Sequence, residues 1–314
     1  MNNQLQPSLL LLGGTKTGKT HYGGQFLRRL QKGQGELQMM GVPSDLTPFQ
    51  EVNEALSQGK SGAHTPVIVY RESIWSIRQK DSMVDAELIW PDYGGEQLER
   101  LITQRQVSEE WVHRIRSSDG WLLFLRLKIL PVLEDMLTRP RTLDQMKRLG
   151  IEPNHIADGT LPDGHASPED GVSLLQSQSL PPLPAQVQFV ELLQTLFFIK
   201  QVSTIQRLAY PPLTVVLSCW DELHDETQDS SVPYRLLKVR LPFFARFIEA
   251  NWVPDAIEVM GLSALGKSLR SDVVDEDFVD NGPERQGYCI LPDGTKSSDL
   301  TLPISRLLKR VAPR

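Results

Sequence analysis

Short apolar runs alternate with amphipathic stretches along most of this chain. The first run, Leu9–Leu12, is uniformly hydrophobic, which is typical of a strand buried on both faces. Residues 20–32 follow it and place Phe26, Leu27 and Leu30 on one face of a helix. Further strands are predicted at 66–77, 83–90, 121–127, 212–218 and 255–262, and further helices at 48–58, 96–116, 185–208 and 233–252. This alternation predicts a doubly wound α/β domain.

Three segments depart from the alternation. The strands at 66–77 and 83–90 are separated only by polar residues, which predicts an antiparallel hairpin feeding the sheet. Residues 131–184 hold eight of the chain's 22 prolines and predict a flexible insertion. Residues 286–314 predict a C-terminal hairpin and helix that extend a single domain over 1–314, and the acidic run at 272–280 predicts a solvated loop.

Composition narrows the class of protein. The chain has 314 residues, 40% of them hydrophobic, and a net charge of −6, which argues against a nucleic-acid surface. Its two cysteines, Cys219 and Cys289, fit neither a disulfide framework nor a zinc cluster, and they suit a reducing cytosol. We find no apolar stretch long enough to span a membrane and no signal peptide, so we expect a cytoplasmic protein.

The most specific motif is Gly13-x4-Gly18-Lys19-Thr20, directly after the first strand and before the first helix. Glycines let the backbone curl so that its N–H groups point at phosphate, the lysine reaches the β- and γ-phosphates, and the threonine hydroxyl can ligate Mg²⁺. Lys16 either brings an ammonium near the β–γ bridge or extends into solvent. The predicted phosphate-binding residues are Gly13, Gly14, Thr15, Lys16, Thr17, Gly18, Lys19 and Thr20.

A second candidate follows the strand that ends at Trp90. Asp92 stands where a carboxylate can hold a Mg²⁺-bound water, and Gly95 can offer its N–H to the γ-phosphate. Glu96 or Gln97 would then touch the attacking water. The competing interpretation is an ordinary strand-to-turn exit, in which Asp and Gly are common.

Two more strand exits predict recognition of a base. Asp221 follows the strand at 212–218, and its carboxylate can accept hydrogen bonds from guanine N1–H and the 2-amino group, which adenine lacks. Alternatively, this aspartate merely caps a turn. Ser263, Ala264 and Leu265 end the strand at 255–262, and this small-residue loop lets backbone N–H groups approach O6 of the base.

The four motifs, in this order along the chain, resemble those of the P-loop GTPases of the translation-factor and Ras-like class. They are GGTKTGKT at 13–20, DYGGE at 92–96, SCWD at 218–221 and SALG at 263–266. Within that class, residues 55–65 and the DLTLPISRLL ending look most like bacterial double-GTPase domains linked to conflict and defence systems. The resemblance implies a three-layer, G-domain-like fold with a mostly parallel sheet and one antiparallel edge strand.

The resemblance also implies GTP or GDP and Mg²⁺ as ligands, with Thr20, Thr65 and Asp92 around the metal and Thr47 as the alternative to Thr65. It implies GTP hydrolysis and a nucleotide-controlled switch for a protein partner, of which a second GTPase-like protein is one candidate. The rival interpretations are a non-catalytic scaffold that keeps its nucleotide and an ATPase.

Two departures from the class change the expectation. Its guanine motif begins Asn/Thr-Lys, whereas this chain has Ser218 and Cys219, which weakens base selectivity unless Trp220 stacks on the base. Glu96 stands where Ras-like proteins place the glutamine that positions water. A carboxylate beside the γ-phosphate is repelled by it, so we expect slow hydrolysis.

Overall fold

The computed structural model describes residues 6–62, 71–92, 101–102, 104, 106–130, 184–223 and 232–311. Contacts divide the chain into two units, of which residues 1–130 and 185–314 form the first. The fold reported below is that of the described residues of this first unit. The predicted insertion at 131–184 lies outside them apart from its last residue.

The helices and strands follow the predicted alternation through most of the described chain. The strands are β1 (Ser8–Gly13), β2 (Leu37–Met39), β3 (Arg71–Gln79), β4 (Asp85–Asp92), β5 (Gly120–Leu125), β6 (Leu213–Ser218), β7 (Ile257–Ser263), β8 (Tyr288–Ile290) and β9 (Lys296–Ser297). The helices are α1 (Lys19–Gln31), α2 (Thr47–Ser57), α3 (Glu109–Ser117), α4 (Ala185–Lys200), α5 (Pro233–Arg240), α6 (Pro242–Asn251), α7 (Glu276–Asp280) and α8 (Leu302–Val311).

All nine described strands belong to one sheet, in the order β2-β3-β4-β1-β5-β6-β7-β8-β9. The five central strands, from β4 to β7, pair in parallel, with Leu10 opposite Ile89 on one side of β1 and opposite Trp121 on the other. The pairs β2·β3, β3·β4, β7·β8 and β8·β9 are antiparallel.

The prediction of a mostly parallel sheet with one antiparallel edge strand is therefore wrong. The described sheet is mixed, with four parallel and four antiparallel pairings, and antiparallel strands lie at both edges. The strand β2 has only three residues and so carries too little periodicity to be recognised in the sequence. The predicted C-terminal hairpin joins the sheet because β8 pairs with β7.

Two hydrophobic clusters take alternate residues of the central strands. Leu10 and Leu12 of β1 belong to one cluster with residues of α3, α4, α5 and α6, whereas Leu9 and Leu11 belong to the other with residues of α1 and α8. Because successive side chains of a strand point to opposite faces, the two clusters cover the two faces of the sheet. The uniformly apolar strand sequences follow from this double burial.

Close packing of α1 against α2 depends on a glycine. A Cβ atom at Gly23 would lie 2.3 Å from Phe49 Cε1 and 2.8 Å from Trp90 Cζ2, closer than van der Waals contact allows. Arg28 fixes the same pair of helices, since its Nε donates to Asn53 Oδ1 at 2.8 Å. α1 and α2 are thereby held together along α1 from Gly23 to Arg28.

The acidic stretch near the C-terminus is more ordered than its sequence predicts. Residues Glu276–Asp280 form α7, and Phe278 within it is fully buried against Val52 and Leu56 of α2. Asp275 caps this helix by accepting a hydrogen bond from the backbone N–H of Phe278 at 2.8 Å. The prediction of a solvated loop at 272–280 is wrong for these residues, because one buried aromatic side chain outweighs the polar composition around it.

None of the helices in the described part of the chain has the length and apolarity needed to cross a membrane.

Candidate functional site

The central strands bring the predicted motifs to one edge of the sheet. β1, β4, β5, β6 and β7 run in the same direction and end at Gly13, Asp92, Leu125, Ser218 and Ser263. Ligands of open α/β sheets bind outside these carboxyl ends, where connections leave in opposite directions on either side of one strand. The first strand, β1, is such a strand, because the chain continues to β4 on one side of it and to β5 on the other.

The loop between β1 and α1 has the backbone geometry of a phosphate cradle. Gly18 precedes the helix with φ 76°, and Lys16 has φ 60°, so the chain curls twice through the left-handed region. Beyond Gly18, the first N–H groups of α1 lie at the helix N-terminus, where backbone donors and the helix dipole favour an anion.

Lys19 lies over this loop. Its Nζ donates to the carbonyl oxygens of Gly13 and Gly14 at 2.6 and 2.9 Å, and Thr17 Oγ1 donates to Gly14 O at 2.8 Å. A Cβ atom at Gly13 would come within 3.0 Å of Phe124 Cβ, so only glycine lets the loop leave β1 this close to β5. The ammonium and the loop therefore form one compact, positively charged feature.

The two motifs predicted to recognise a base are in direct contact. Asp221 lies in a short 3₁₀ turn, Trp220–Leu223, and its Oδ1 accepts a hydrogen bond from Ser263 Oγ at 2.5 Å. The same Ser263 oxygen accepts from the backbone N–H of Gly266 at 2.9 Å. The carboxylate is thus fixed against the loop that contains Ala264 and Leu265.

The side chains of Cys219 and Trp220 are largely buried beside the site. Cys219 has φ 51°, and its Sγ lies 3.5 Å from the point where Gly18 would carry a Cβ. Burial raises the pKa of this thiol to about 12, so it stays neutral at physiological pH. Trp220 is 5% exposed and packs against β7 at Gly261, where a Cβ would meet the indole at 2.5 Å. Its predicted alternative role, stacking on a base, is wrong because the ring belongs to the core.

Arg126 is a site residue that the sequence interpretation missed. It follows β5 directly, and its Nη1 donates to Lys16 O at 3.0 Å while its Nε donates to Glu222 Oε2 at 2.9 Å. The signal was a basic residue at the end of a uniformly apolar strand, at the same edge as the other motifs. Lys16 itself is exposed, and it is the backbone carbonyl that meets Arg126.

Several predicted residues lie outside the described chain, namely Thr65, Gly95, Glu96 and Gln97. Asp92 is the last residue of β4, at the same edge as Gly13. Thr47, the alternative to Thr65, begins α2 and is exposed, and its backbone N–H donates to Asp45 Oδ1 at 2.9 Å.

The chain that leads towards Thr65 is attached beside the cradle. The backbone N–H of Gly62 donates to His21 Nε2 at 3.1 Å, and His21 is the neighbour of Thr20 in the first turn of α1. Within the described residues, no group of three or more His, Cys, Asp or Glu side chains is arranged as a metal cluster. A hydroxyl-based Mg²⁺ site at Thr20 does not need such a cluster.

The hydrogen-bonding groups at this edge of the sheet are complementary to a nucleotide. The cradle offers backbone N–H groups and an ammonium to phosphate, and Asp221 offers a carboxylate to a base that carries paired N–H donors. Together the fold and this edge define a P-loop protein of the GTPase class. The sequence model of the Double-GTPase 1 family matches residues 10–307, and the chain belongs to this family. It is accordingly a GTP-binding P-loop protein with a GTPase role.

Comparison with solved structures gives a distant similarity. The "Signal recognition particle receptor SRb-GTP/SRX complex from Chaetomium thermophilum" contains a chain that is 15% identical, with 86% of this chain and 95% of that chain covered and a TM-score of 0.35. None of the curated proteins matches the sequence significantly.

Proposed function

We propose that this protein binds GTP with Mg²⁺, hydrolyses it slowly, and uses the nucleotide state to control binding of a protein partner. The observation that carries the proposal is that the Lys19 cradle and the Asp221 carboxylate both lie at the carboxyl ends of the parallel strands. The buried clusters on both faces of the sheet support the three-layer G-domain arrangement within which such a switch operates.

At the phosphate end, binding of a triphosphate would replace the present hydrogen-bond partners of Lys19. In the described structure Lys19 Nζ is bonded to the carbonyls of Gly13 and Gly14. A triphosphate would take this ammonium as its counter-charge and accept hydrogen bonds from the N–H groups of residues 14–20. Charge-assisted hydrogen bonds to phosphate are about twice as strong as neutral ones, so this exchange favours binding.

At the base end, the geometry favours guanine. Ser263 Oγ holds Oδ1 of Asp221, which leaves the second carboxylate oxygen and the remaining lone pairs for the paired N–H groups of the base. Adenine presents an acceptor at N1, where this carboxylate would repel it. We therefore propose GTP and GDP as the ligands.

Thr20, Thr65 and Asp92 are the proposed Mg²⁺ ligands, where the metal would neutralise phosphate charge. The backbone N–H of Gly62, three residues before Thr65 in the sequence, donates to His21, the residue after Thr20, which supports this choice of ligands. Thr47 is already committed to the first turn of α2, which favours Thr65.

Glu96 and Gln97 would contact the attacking water, and the negative charge of Glu96 would keep hydrolysis slow. Loss of the γ-phosphate would release the segments around Thr65 and Gly95, which changes the surface that a partner contacts. A second GTPase-like protein, a cytoplasmic location and a role in bacterial conflict or defence complete the proposal. The partner and the defence role follow from the resemblance described above, and the location follows from the composition of the chain.

Single-turnover GTP hydrolysis tests the catalytic part of this proposal. We expect Mg²⁺-dependent release of phosphate from wild type, at least tenfold slower release from Lys19→Ala, and little change in Lys296→Ala, the control at an exposed lysine of β9. Bound GTP that stays intact over hours would favour the non-catalytic scaffold. ATP turned over as fast as GTP would favour an ATPase.

A further inference from the structure

Arg126 connects loops that a nucleotide would have to contact together. Its guanidinium donates from Nε and Nη2 to the two carboxylate oxygens of Glu222, at 2.9 and 2.5 Å, and from Nη1 to Lys16 O at 3.0 Å. One side chain thereby holds the phosphate loop on one side and the turn after β6 on the other. The planar fork of arginine makes both contacts possible at once.

The contact extends to the base-recognition loop through adjacent residues. Glu222 follows Asp221 in the same 3₁₀ turn, and Asp221 is bonded to Ser263 in the loop after β7. Ser268 Oγ also reaches Glu222 Oε1, at 3.4 Å. Three loops from three different strand ends are therefore linked around Arg126.

The ion pair between Arg126 and Glu222 is partly shielded from solvent. The side chains of Arg126 and Glu222 are 25% and 16% exposed, so solvent weakens the pair less than it weakens a surface ion pair. The hydrogen bond to Glu222 raises the pKa of Arg126, which keeps this arginine charged.

We propose that Arg126 and Glu222 form a positioning pair that sets the separation between the phosphate loop and the Asp221 turn. A fixed separation lets the phosphates and the base bind together without a cost of ordering two loops. It also sets how strictly Asp221 faces the base, and hence the preference for guanine. This inference rests on the proposed binding of GTP and names residues that control it.

The test compares dissociation rates and affinities of fluorescent GDP, and competition by GTP and ATP, among matched variants. Arg126→Gln and Glu222→Gln each remove the pair, and Arg126→Lys keeps the charge without the fork. Arg78→Gln is the control, because Arg78 forms a similar bidentate pair with Asp85, at 26% and 31% exposure, near the opposite end of the sheet.

We expect Arg126→Gln and Glu222→Gln to release GDP about tenfold faster and to lose part of their preference for GTP over ATP. The double variant should be no worse than either single one, because the two residues act as a unit. Arg126→Lys should be intermediate, and Arg78→Gln should behave as wild type.

Wild-type rates and preference in Arg126→Gln and Glu222→Gln would overturn the inference, as would a full wild-type response from Arg126→Lys. An equal loss in Arg78→Gln would also overturn it, since the effect would then reflect general stability. If Arg126→Gln does not fold, Arg126→Lys and Glu222→Gln decide the matter. Wild-type protein that binds no guanine nucleotide would instead overturn the proposed function.

Discussion

At the residue scale, the proposed preference for guanine depends on the atoms that Asp221 presents. Its Oδ1 is already occupied by Ser263 Oγ, so the side chain has a defined orientation before any ligand arrives. An asparagine would keep an acceptor for Ser263 but would place an NH₂ group where the carboxylate faces the base. We therefore expect the substitution to change recognition of the base with little change in local packing.

We predict that Asp221→Asn lowers the affinity for GTP by about 100-fold, since two hydrogen bonds to a charged acceptor are lost or reversed. The affinity for ATP should stay the same or rise. Competition of labelled GTP by unlabelled GTP and ATP measures both values, with Asp293→Asn, an exposed aspartate of the β8–β9 turn, as the control. An unchanged ratio of the two affinities would remove Asp221 from the base site.

Single residues also show how far the sequence predicts the site. Lys19 and Asp221 were predicted because motif spacing placed them at strand ends, and the parallel strands bring those ends together. Arg126 was missed because its partners, Lys16 and Glu222, are 110 and 96 residues away. The burial of Trp220 could not be predicted either, because it depends on Gly261 of the adjacent strand.

At the element scale, α7 connects the residues that follow the Ser263 loop to α2. Phe278 is fully buried with Val52 and Leu56, and Asp275 N–H donates to Gly59 O at 2.9 Å. Ser61 N–H donates to Arg270 O at 3.0 Å in the same region. The stretch that leads to Gly62 is thus supported by residues that follow the Ser263 loop.

We predict that Phe278→Ala lowers the free energy of unfolding by about 3 kcal/mol, because it removes a fully buried aromatic ring and leaves a cavity. Denaturant unfolding followed by tryptophan fluorescence measures this loss. The control is Val279→Ala, at a neighbouring residue that is 37% exposed and should cost less than about 1 kcal/mol. Equal effects of the two changes would mean that α7 is not packed as described.

The C-terminal helix α8 is fixed to the sheet by ion pairs between a buried carboxylate and two partly exposed arginines. Glu258 of β7 is 3% exposed and accepts hydrogen bonds from Arg306 Nε and Arg310 Nη1, both at 2.7 Å. Burial opposes ionisation of this carboxyl group, yet the two arginines outweigh it and hold its pKa below the ordinary value of 4.5. An ionised Glu258 therefore stabilises the folded state.

Because the pKa is lowered on folding, this stabilisation is complete above about pH 4.5 and is lost as the pH falls through the folded-state pKa. We predict that Glu258→Gln costs about 2 kcal/mol at pH 7 and flattens the decline of stability between about pH 5 and pH 3. Unfolding curves across this range test the prediction, with Glu51→Gln on the exposed face of α2 as the control. A variant with the same pH dependence as wild type would contradict it.

Helices and strands with strong hydrophobic periodicity were predicted well. Those whose bounds depend on tertiary contacts were predicted less well. The apolar strands β1, β5, β6 and β7 all lie within or close to their predicted ranges. The predicted helix at 233–252 is two helices, α5 and α6, which meet at Leu241 before Pro242. Proline disfavours helical backbone in the residue before it, so this break was readable in the sequence.

At the scale of the whole molecule, we propose that the carboxyl ends of β1, β5, β6 and β7 together form one nucleotide site. The parallel order of these strands places the cradle, Arg126, Asp221 and Ser263 along that edge. Membership of the Double-GTPase 1 family is consistent with this use of the edge. The antiparallel strands at both sides add to the sheet without interrupting it.

Isothermal titration calorimetry of GTP and GDP, with and without Mg²⁺, measures directly whether this site binds a guanine nucleotide. We predict saturable binding of GTP that is stronger with Mg²⁺ than without it. Lys19→Ala should weaken this binding by about 100-fold, and excess ATP should not displace the bound GTP. Absence of Mg²⁺-dependent binding of either guanine nucleotide to folded wild-type protein would contradict this proposal.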